Sequence, residues 1–204
     1  MKRRELLISL LLAPLPVTIP VVASAAPDLA QEVRERLQQP EWLRGDFTQS
    51  KKVPGFAKPL VSSGNFIAAR GRGVVWRTLK PFASELRLTQ NEIRASQGGQ
   101  TSMRLDASKE PAVRLITTLM FSLLNGDVSG LAELFELTGS SQGKGWQLVL
   151  VPRKGPLQQV LRKVELEGDG FVRRIQLFEA NGDESLIQLA NPRTDGAPEP
   201  GLFQ

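Results

Sequence analysis

Residues 111–125 read PAVRLITTLMFSLLN, and the rest of the chain is arranged around this stretch. Its polar residues are confined to a stripe at Arg114, Thr118 and Ser122, four residues apart, with Thr117 beside it. A helix that is apolar over most of its circumference has to be covered by other parts of the protein. The run is too short to span a bilayer, which needs about 20 residues. Two interpretations follow: a core helix packed on a sheet, or a helix that covers an apolar cavity.

The N-terminus has the pattern of an export signal. Basic residues 2–4 precede an apolar stretch, and Ala23-Ser24-Ala25 is a small-x-small cleavage site. Pro14, Pro16 and Pro20 make the same stretch a poor membrane helix. We therefore expect residues 1–25 to be a signal peptide cleaved after Ala25, and the mature protein to lie in the periplasm.

The composition excludes most catalytic and metal-binding arrangements. The chain has no cysteine and no histidine, which rules out disulfides, Ser-His-Asp and Cys-His catalysis, and cysteine-based metal sites. Ser141 and Lys144 match S-x-x-K, but they stand between glycines in a predicted turn and without the partner motifs. A carboxylate hydrolase stays open, although no acidic pair stands out. We expect no enzyme, no cofactor and no bound metal.

The charge gives no sign of a nucleic-acid partner. The full chain has 26 basic and 21 acidic residues, and the chain without residues 1–25 has 23 and 20. These charges are scattered rather than clustered into a basic stripe, and an exported protein rarely meets nucleic acid. We therefore expect no nucleic-acid binding.

Short alternating segments on both sides of the apolar helix predict strands. An amphipathic helix is predicted at residues 27–39, and a second short helix at residues 128–134. The predicted strands cover residues 42–52, 60–69, 73–79, 84–90, 92–97 and 102–106 before the apolar helix, and start at 135, 146, 160, 171 and 184 after it.

So many antiparallel strands in one sheet must curl to hide an apolar face. If the two ends of the curled sheet do not meet, they leave an opening, which the apolar helix can fill. The prediction is a mainly β (α+β) fold: an open, strongly curved antiparallel half-barrel of about 11 strands with helices covering the concave face. Residues 26–192 would form this single domain, and residues 193–204 a flexible tail.

The sequence has many apolar side chains and no recognisable set of catalytic residues, which favours a binding cavity. A dry core explains any one of these side chains equally well. The candidate residues for the cavity and its lid are Phe47, Phe66, Val74, Trp76, Leu86, Leu88, Leu115, Ile116, Leu119, Met120 and Leu123.

Several short motifs follow one another along about residues 28–192. G-x-F-x-Q begins at Gly45, and Arg70 stands six residues before Trp76. Pro81-Phe82 follows, and later come Asn125-Gly126-Asp127 and the segment Glu133–Leu137. Each match is weak by itself, but in their order and spacing they resemble the LolA family, the periplasmic carriers of outer-membrane lipoproteins.

The resemblance implies an open β-barrel whose cavity holds acyl chains under a helical lid. It implies a triacylated lipoprotein as cargo, an inner-membrane ABC transporter as donor and an outer-membrane acceptor of the same fold. That acceptor is anchored through a lipid-modified cysteine, so the absence of cysteine here favours the soluble carrier role. We expect a monomer. The arginine that tethers the lid in the family corresponds to Arg70; the alternative is an exposed arginine at a strand end.

The sequence also departs from the family pattern. Gly71 stands where a proline usually follows the arginine, and residues 91–103 lack the usual aromatic side chains. We interpret the chain as a divergent member. Two alternatives stay open: a carrier of another acylated or polyene lipid, and a non-enzymatic protein-binding or assembly module on the same curved sheet.

Overall fold

The structure is a computed structural model, and it describes residues 29–106, 108–109, 117–122, 131–153 and 155–203. The predicted signal peptide at residues 1–25 lies outside the described residues. No helix in the described ranges is long and apolar enough to span a membrane.

The described chain folds into strands with a few short helices. In chain order the elements are α1 (Leu29–Arg36), β1 (Trp42–Lys52), β2 (Leu60–Ala69), β3 (Gly73–Lys80), β4 (Ser84–Thr89), β5 (Glu92–Gln97), β6 (Gln100–Asp106), α2 (helical residues 117–122), α3 (Leu131–Leu134), β7 (Phe135–Gln142), β8 (Gly145–Pro152), α4 (Leu157–Val160), β9 (Leu161–Gly168), β10 (Val172–Glu179) and β11 (Glu184–Arg193).

All eleven strands belong to one antiparallel sheet, in the order β6-β5-β4-β3-β2-β1-β11-β10-β9-β8-β7. The last strand pairs with the first, so that Phe47 stands opposite Leu189. Within the described ranges, β6 and β7 are therefore the two edges of the sheet, and the segment that joins them contains α2 and α3. The predicted open, curved antiparallel half-barrel of about eleven strands is confirmed.

A glycine inside β2 has a steric reason. A Cβ on Gly64 would overlap the carbonyl oxygen of Arg77 in the neighbouring strand β3. The β2–β3 register shifts beside it, because Ser63 pairs with Lys80 while Gly64 pairs with Thr78. Leu79 is the extra residue of this bulge, which bends the end of β3.

Most of the buried apolar side chains among the described residues fall into two clusters. The N-terminal cluster belongs to β1–β5 and contains Leu43, Phe66, Ala68, Val74, Leu88 and Ile93. The C-terminal cluster joins β7–β10 to the helices; its buried members include Val33, Leu119, Leu131, Phe135, Trp146, Leu148, Leu150, Val164 and Leu166. The amphipathic helix predicted at the start of the domain therefore packs into the core through Val33, which is fully buried.

The C-terminal residues lie against the sheet. The Arg44 guanidinium donates a hydrogen bond to the Gly196 carbonyl at 2.5 Å, and Leu202 is only 9% exposed. The ring of Phe203 lies next to Gly73, at the start of β3. The flexibility of residues 193–204 stays a prediction, although Gly196, Leu202 and Phe203 contact the sheet or are buried.

Candidate functional site

Strand register brings apolar residues from six strands onto one face of the sheet. Directly paired residues of antiparallel strands project from the same face. One row across β1–β6 contains Gly45, Phe66, Trp76, Leu86, Ala95 and Met103, and a second row contains Leu43, Ala68, Val74, Leu88, Ile93 and Leu105. We call the face that carries these two rows the inner face.

Three aromatic rings occupy the middle of the inner face. The ring of Trp76 stacks on Phe47 with centroids 3.9 Å apart, and on Phe66 with centroids 5.8 Å apart. Phe47 and Phe66 are buried, whereas Trp76 is half-buried. Part of the indole surface is therefore still open to a molecule on the inner face.

Two glycines make room for these rings. A Cβ on Gly45 would come within 2.7 Å of the Phe66 ring, and a Cβ on Gly64 within 3.0 Å of the Phe47 ring. Each glycine lies directly opposite the residue whose ring it admits, because Gly45 pairs with Phe66 and Phe47 with Gly64. The two glycines thus let flat aromatic surface lie close to the sheet.

Helix α2 contacts both halves of the core. Leu119 is 7% exposed and belongs to the C-terminal cluster, while the neighbouring Met120 packs against the N-terminal cluster. Successive residues on a helix point in different directions, so α2 lies between the two clusters, over the inner face. Thr118 is exposed, which places that member of the predicted polar stripe toward solvent.

The opposite face of β3–β6 carries ion pairs instead of apolar rows. Glu85 accepts from Arg77 at 2.9 Å and from Arg87 at 3.1 Å. Glu92 bridges Arg94 and Arg104 in the same way. Burial raises the pKa of the Glu85 carboxyl, but the hydrogen bonds and charges of the two arginines outweigh it and hold that pKa below its usual range. Charge is thus segregated to the outer face.

One cationic group does lie at an end of the sheet beside the inner face. Lys51 bonds to Glu179 at 2.9 Å and to Asp183 at 2.8 Å. The hydrogen bond with Asp183 raises the pKa of Lys51, and the same bond lowers the pKa of Asp183. Among the described residues, no group of three or more acidic side chains could hold a metal ion.

The predicted cavity residues that the structure describes share this region. Phe47, Phe66, Val74 and Leu88 are buried on the inner face, Trp76 and Leu86 are half-buried on it, and Leu119 and Met120 cover it from α2. Leu115, Ile116 and Leu123 lie outside the described residues. Contact between these side chains and a lipid stays a prediction.

Arg70, the predicted lid tether, lies outside the two rows of the inner face. Arg70 lies in the turn after β2, where its backbone N–H donates to the Glu41 carbonyl at 3.0 Å. Its side chain is exposed, and it has no hydrogen bond or ion pair within the described part of the chain. The tethering role of Arg70 stays a prediction.

Sequence reasoning missed several members of the two rows, among them Leu43, Ala68, Ile93 and Leu105. Alternation within each strand placed apolar residues on one face, but only the register shows which of them are neighbours. Ile93 and Leu105 could have been found from the alternation of apolar and polar residues in their strands. Ala68 was harder to find, because a small residue contributes little to such a pattern.

Comparisons with known proteins agree with this architecture. Residues 38–204 match the family model described as outer membrane lipoprotein carrier protein LolA. No curated protein matches the chain.

Solved structures of low sequence identity align over most of the chain. A LolA superfamily protein from Nitrosomonas europaea is 12% identical with a TM-score of 0.49, and the alignment covers 86% of this chain and 96% of the other. An outer membrane lipoprotein-sorting protein domain from Vibrio parahaemolyticus is 12% identical with a TM-score of 0.46, covering 86% and 94%. The MucA/MucB complex of Pseudomonas aeruginosa gives 18% identity and a TM-score of 0.48, covering 86% and 59%.

The family match extends from just after α1 to the last residue, and so includes every strand of the sheet and the segment that covers the inner face. The chain belongs to the outer membrane lipoprotein carrier protein LolA family.

Proposed function

We propose that this protein carries the acyl chains of lipoproteins, or of related lipids, through the periplasm from the inner to the outer membrane. The carrier shields the chains between the inner face and the helical segment that covers it. It performs no catalysis, and its signal peptide is removed after Ala25 during export.

The observation that supports this proposal is the pair of apolar rows across β1–β6, with α2 lying over them. The rows contain only apolar residues and glycine, and the partly exposed indole of Trp76 lies in the middle of one of them. A fluid acyl chain needs a surface of this kind, because it makes no hydrogen bonds and has no fixed shape.

Transfer free energies explain why a carrier is needed. Each methylene that leaves an apolar environment for water costs about 0.8 kcal/mol, so an acyl chain of about 16 carbons would cost on the order of 12 kcal/mol. The chains therefore do not cross the periplasm unaided. A carrier has to shield them and still release them, which requires closed and open states of similar free energy.

We assign these two states to α2 and the segment that contains it. Leu119 and Met120 pack on different clusters, so movement of α2 away from one half of the core would expose the inner face. Cargo that occupies this space shifts the equilibrium toward the open state. An inner-membrane ABC transporter would load the carrier, and an outer-membrane acceptor of the same fold would receive the cargo.

Mass spectrometry of organic extracts from the purified mature protein tests the proposal, together with titration of a fluorescent fatty acid. We expect co-purified acyl lipid and saturable binding of the probe. Acylated lipids other than lipoproteins in the extract would assign the cargo to that class.

Failure of both measurements would contradict the proposal. A protein that contains no acyl lipid and does not bind the probe would instead fit a module that holds a protein partner on the curved sheet. Turnover of an ester or glycan substrate would contradict the absence of catalysis.

A further inference from the structure

One end of the sheet has a surface that is apolar and basic at the same time. It is formed by the turn between β1 and β2, the first residues of β2, and the turn between β3 and β4; we call it the tip surface. Phe56 is 63% exposed and Phe82 is 73% exposed. The other large apolar side chains exposed here are Leu60, Val61 and Leu79.

The register places the two turns side by side. Leu60 pairs with Lys51 across the β1–β2 hairpin, and Ser63 pairs with Lys80 at the end of β3. Residues 81–83 therefore continue past Ser63 beside the first residues of β2, and the β1–β2 turn lies next to them. Phe56 and Phe82 project from neighbouring turns at the same end of the sheet.

Exposed aromatic side chains in turns do not contribute to the packing of the core. Single exposed apolar residues are common on protein surfaces, but clusters of them mark interaction sites. The bulge at Leu79 turns a fifth apolar residue outward in the same place. The tip surface therefore has the composition of a contact surface.

The charge of the tip surface limits the kind of partner. Lys52, Lys58 and Lys80 are exposed, and none of them forms an ion pair with any described residue. Nearby acidic residues have basic partners: Glu179 and Asp183 pair with Lys51, and Glu85, just after the β3–β4 turn, pairs with Arg77 and Arg87. Glu184 stands opposite Lys52 in the β1–β11 register. The surface thus presents excess positive charge around its aromatic side chains.

We propose that the tip surface docks the protein on an anionic phospholipid bilayer. Phe56 and Phe82 enter the interfacial region, where aromatic side chains are favoured, while the three lysines lie at the level of the lipid phosphates. Phe47, opposite Gly64, lies one residue beyond the Ser63–Lys80 pair, so the aromatic part of the inner face begins beside this surface. The inference adds a place of lipid exchange to the proposed function, and binding to vesicles can be measured without any cargo.

Vesicle flotation tests the proposal with the mature protein. We expect binding to vesicles containing phosphatidylglycerol at low salt, and little binding to pure phosphatidylcholine. Because each lysine near an anionic surface is worth about fivefold in partitioning, the triple variant K52Q K58Q K80Q should bind about 100-fold more weakly. The variant F56S F82S should also bind more weakly, and because it keeps the three lysines its residual binding should still fall as the salt concentration rises.

A charge-matched control removes three basic residues elsewhere. Lys144 lies in the turn between β7 and β8 and Lys109 follows β6, both at the opposite end of the sheet, and Arg34 is exposed on α1. The variant R34Q K109Q K144Q has the same net charge as the lysine variant and should bind anionic vesicles like the wild type.

The proposal is wrong if wild-type protein ignores anionic vesicles, or if the control loses as much binding as the lysine variant. Unchanged vesicle binding by F56S F82S would also contradict it. The tip variants should bind a fluorescent fatty acid in solution with unchanged affinity. If the wild-type protein binds anionic vesicles but does not bind the fluorescent fatty acid, only the proposed carrier function is contradicted.

Discussion

Replacing Trp76 with alanine should weaken acyl-chain binding more than any comparable change on the outer face. Trp76 stands at the centre of the inner face, where it stacks on Phe47 and Phe66 and remains half-exposed. Of the three stacked rings, it is therefore the one with the most exposed surface. The substitution removes that surface and also leaves two rings without their stacking partner.

The expected magnitude follows from the contacts. An indole ring covers about three methylenes of an extended chain, and at about 0.8 kcal/mol each this amounts to roughly 2 kcal/mol, or about 30-fold in Kd. The two stacked pairs contribute about 0.5–1.5 kcal/mol each to the stability of the fold. Trp76→Phe keeps most of both contributions, so its affinity should fall by less than about fivefold.

Titration with a doxyl-labelled fatty acid gives both affinity and location, because the label quenches nearby tryptophan fluorescence. Trp42→Ala is the matched control: Trp42 lies on the outer face, with the Arg72 guanidinium 5.1 Å from its ring. It should bind the probe like the wild type. If Trp76→Ala binds as tightly as Trp42→Ala, acyl chains do not lie on the inner face and the reasoning fails.

Three further substitutions test other parts of the structure. Arg70→Leu should alter the rate at which bound lipid is released to acceptor vesicles if Arg70 restrains the lid, and release at the wild-type rate would refute that role. Gly64→Ala should lower the free energy of unfolding by at least about 2 kcal/mol in urea denaturation, because its Cβ meets the Arg77 carbonyl; an effect below about 0.5 kcal/mol would contradict the close approach. Asp183→Asn should destabilise the protein at neutral pH, and the difference from wild type should shrink as acid protonates Asp183, whose folded pKa is lowered by Lys51. A difference that stays constant below pH 4, measured by thermal unfolding, would show that this charge pair does not contribute.

Local pattern was sufficient to predict most strands. Trp42–Lys52, Leu60–Ala69 and Glu92–Gln97 have the predicted bounds, because apolar and polar residues alternate within them and turn residues flank them. Phe66 and Trp76, both candidate cavity residues, lie on one face because they are paired across β2 and β3. A hairpin between consecutive strands needs only local information, so the meander order could also be predicted.

Contacts between distant segments could not be predicted in this way. The pairing of β1 with β11 joins residues about 140 positions apart, and no local pattern specifies it. The register shift at Leu79 depends on how Gly64 meets Arg77, which is a property of two strands together. The short helix Leu157–Val160 was not predicted, because its four residues are too few to show a helical period.

The apolar stretch at residues 111–125 shows how sequence and structure combine. A helix that is apolar on nearly every side is compatible with both a core helix and a cover over a cavity. In the described part of that stretch, Leu119 packs on one cluster and Met120 on the other. Both clusters lie on the same sheet, so α2 has apolar neighbours in two directions rather than in one. Apolarity over most of the circumference is what a helix in this position requires, and the release of acyl chains proposed above would require α2 to leave one of the two clusters.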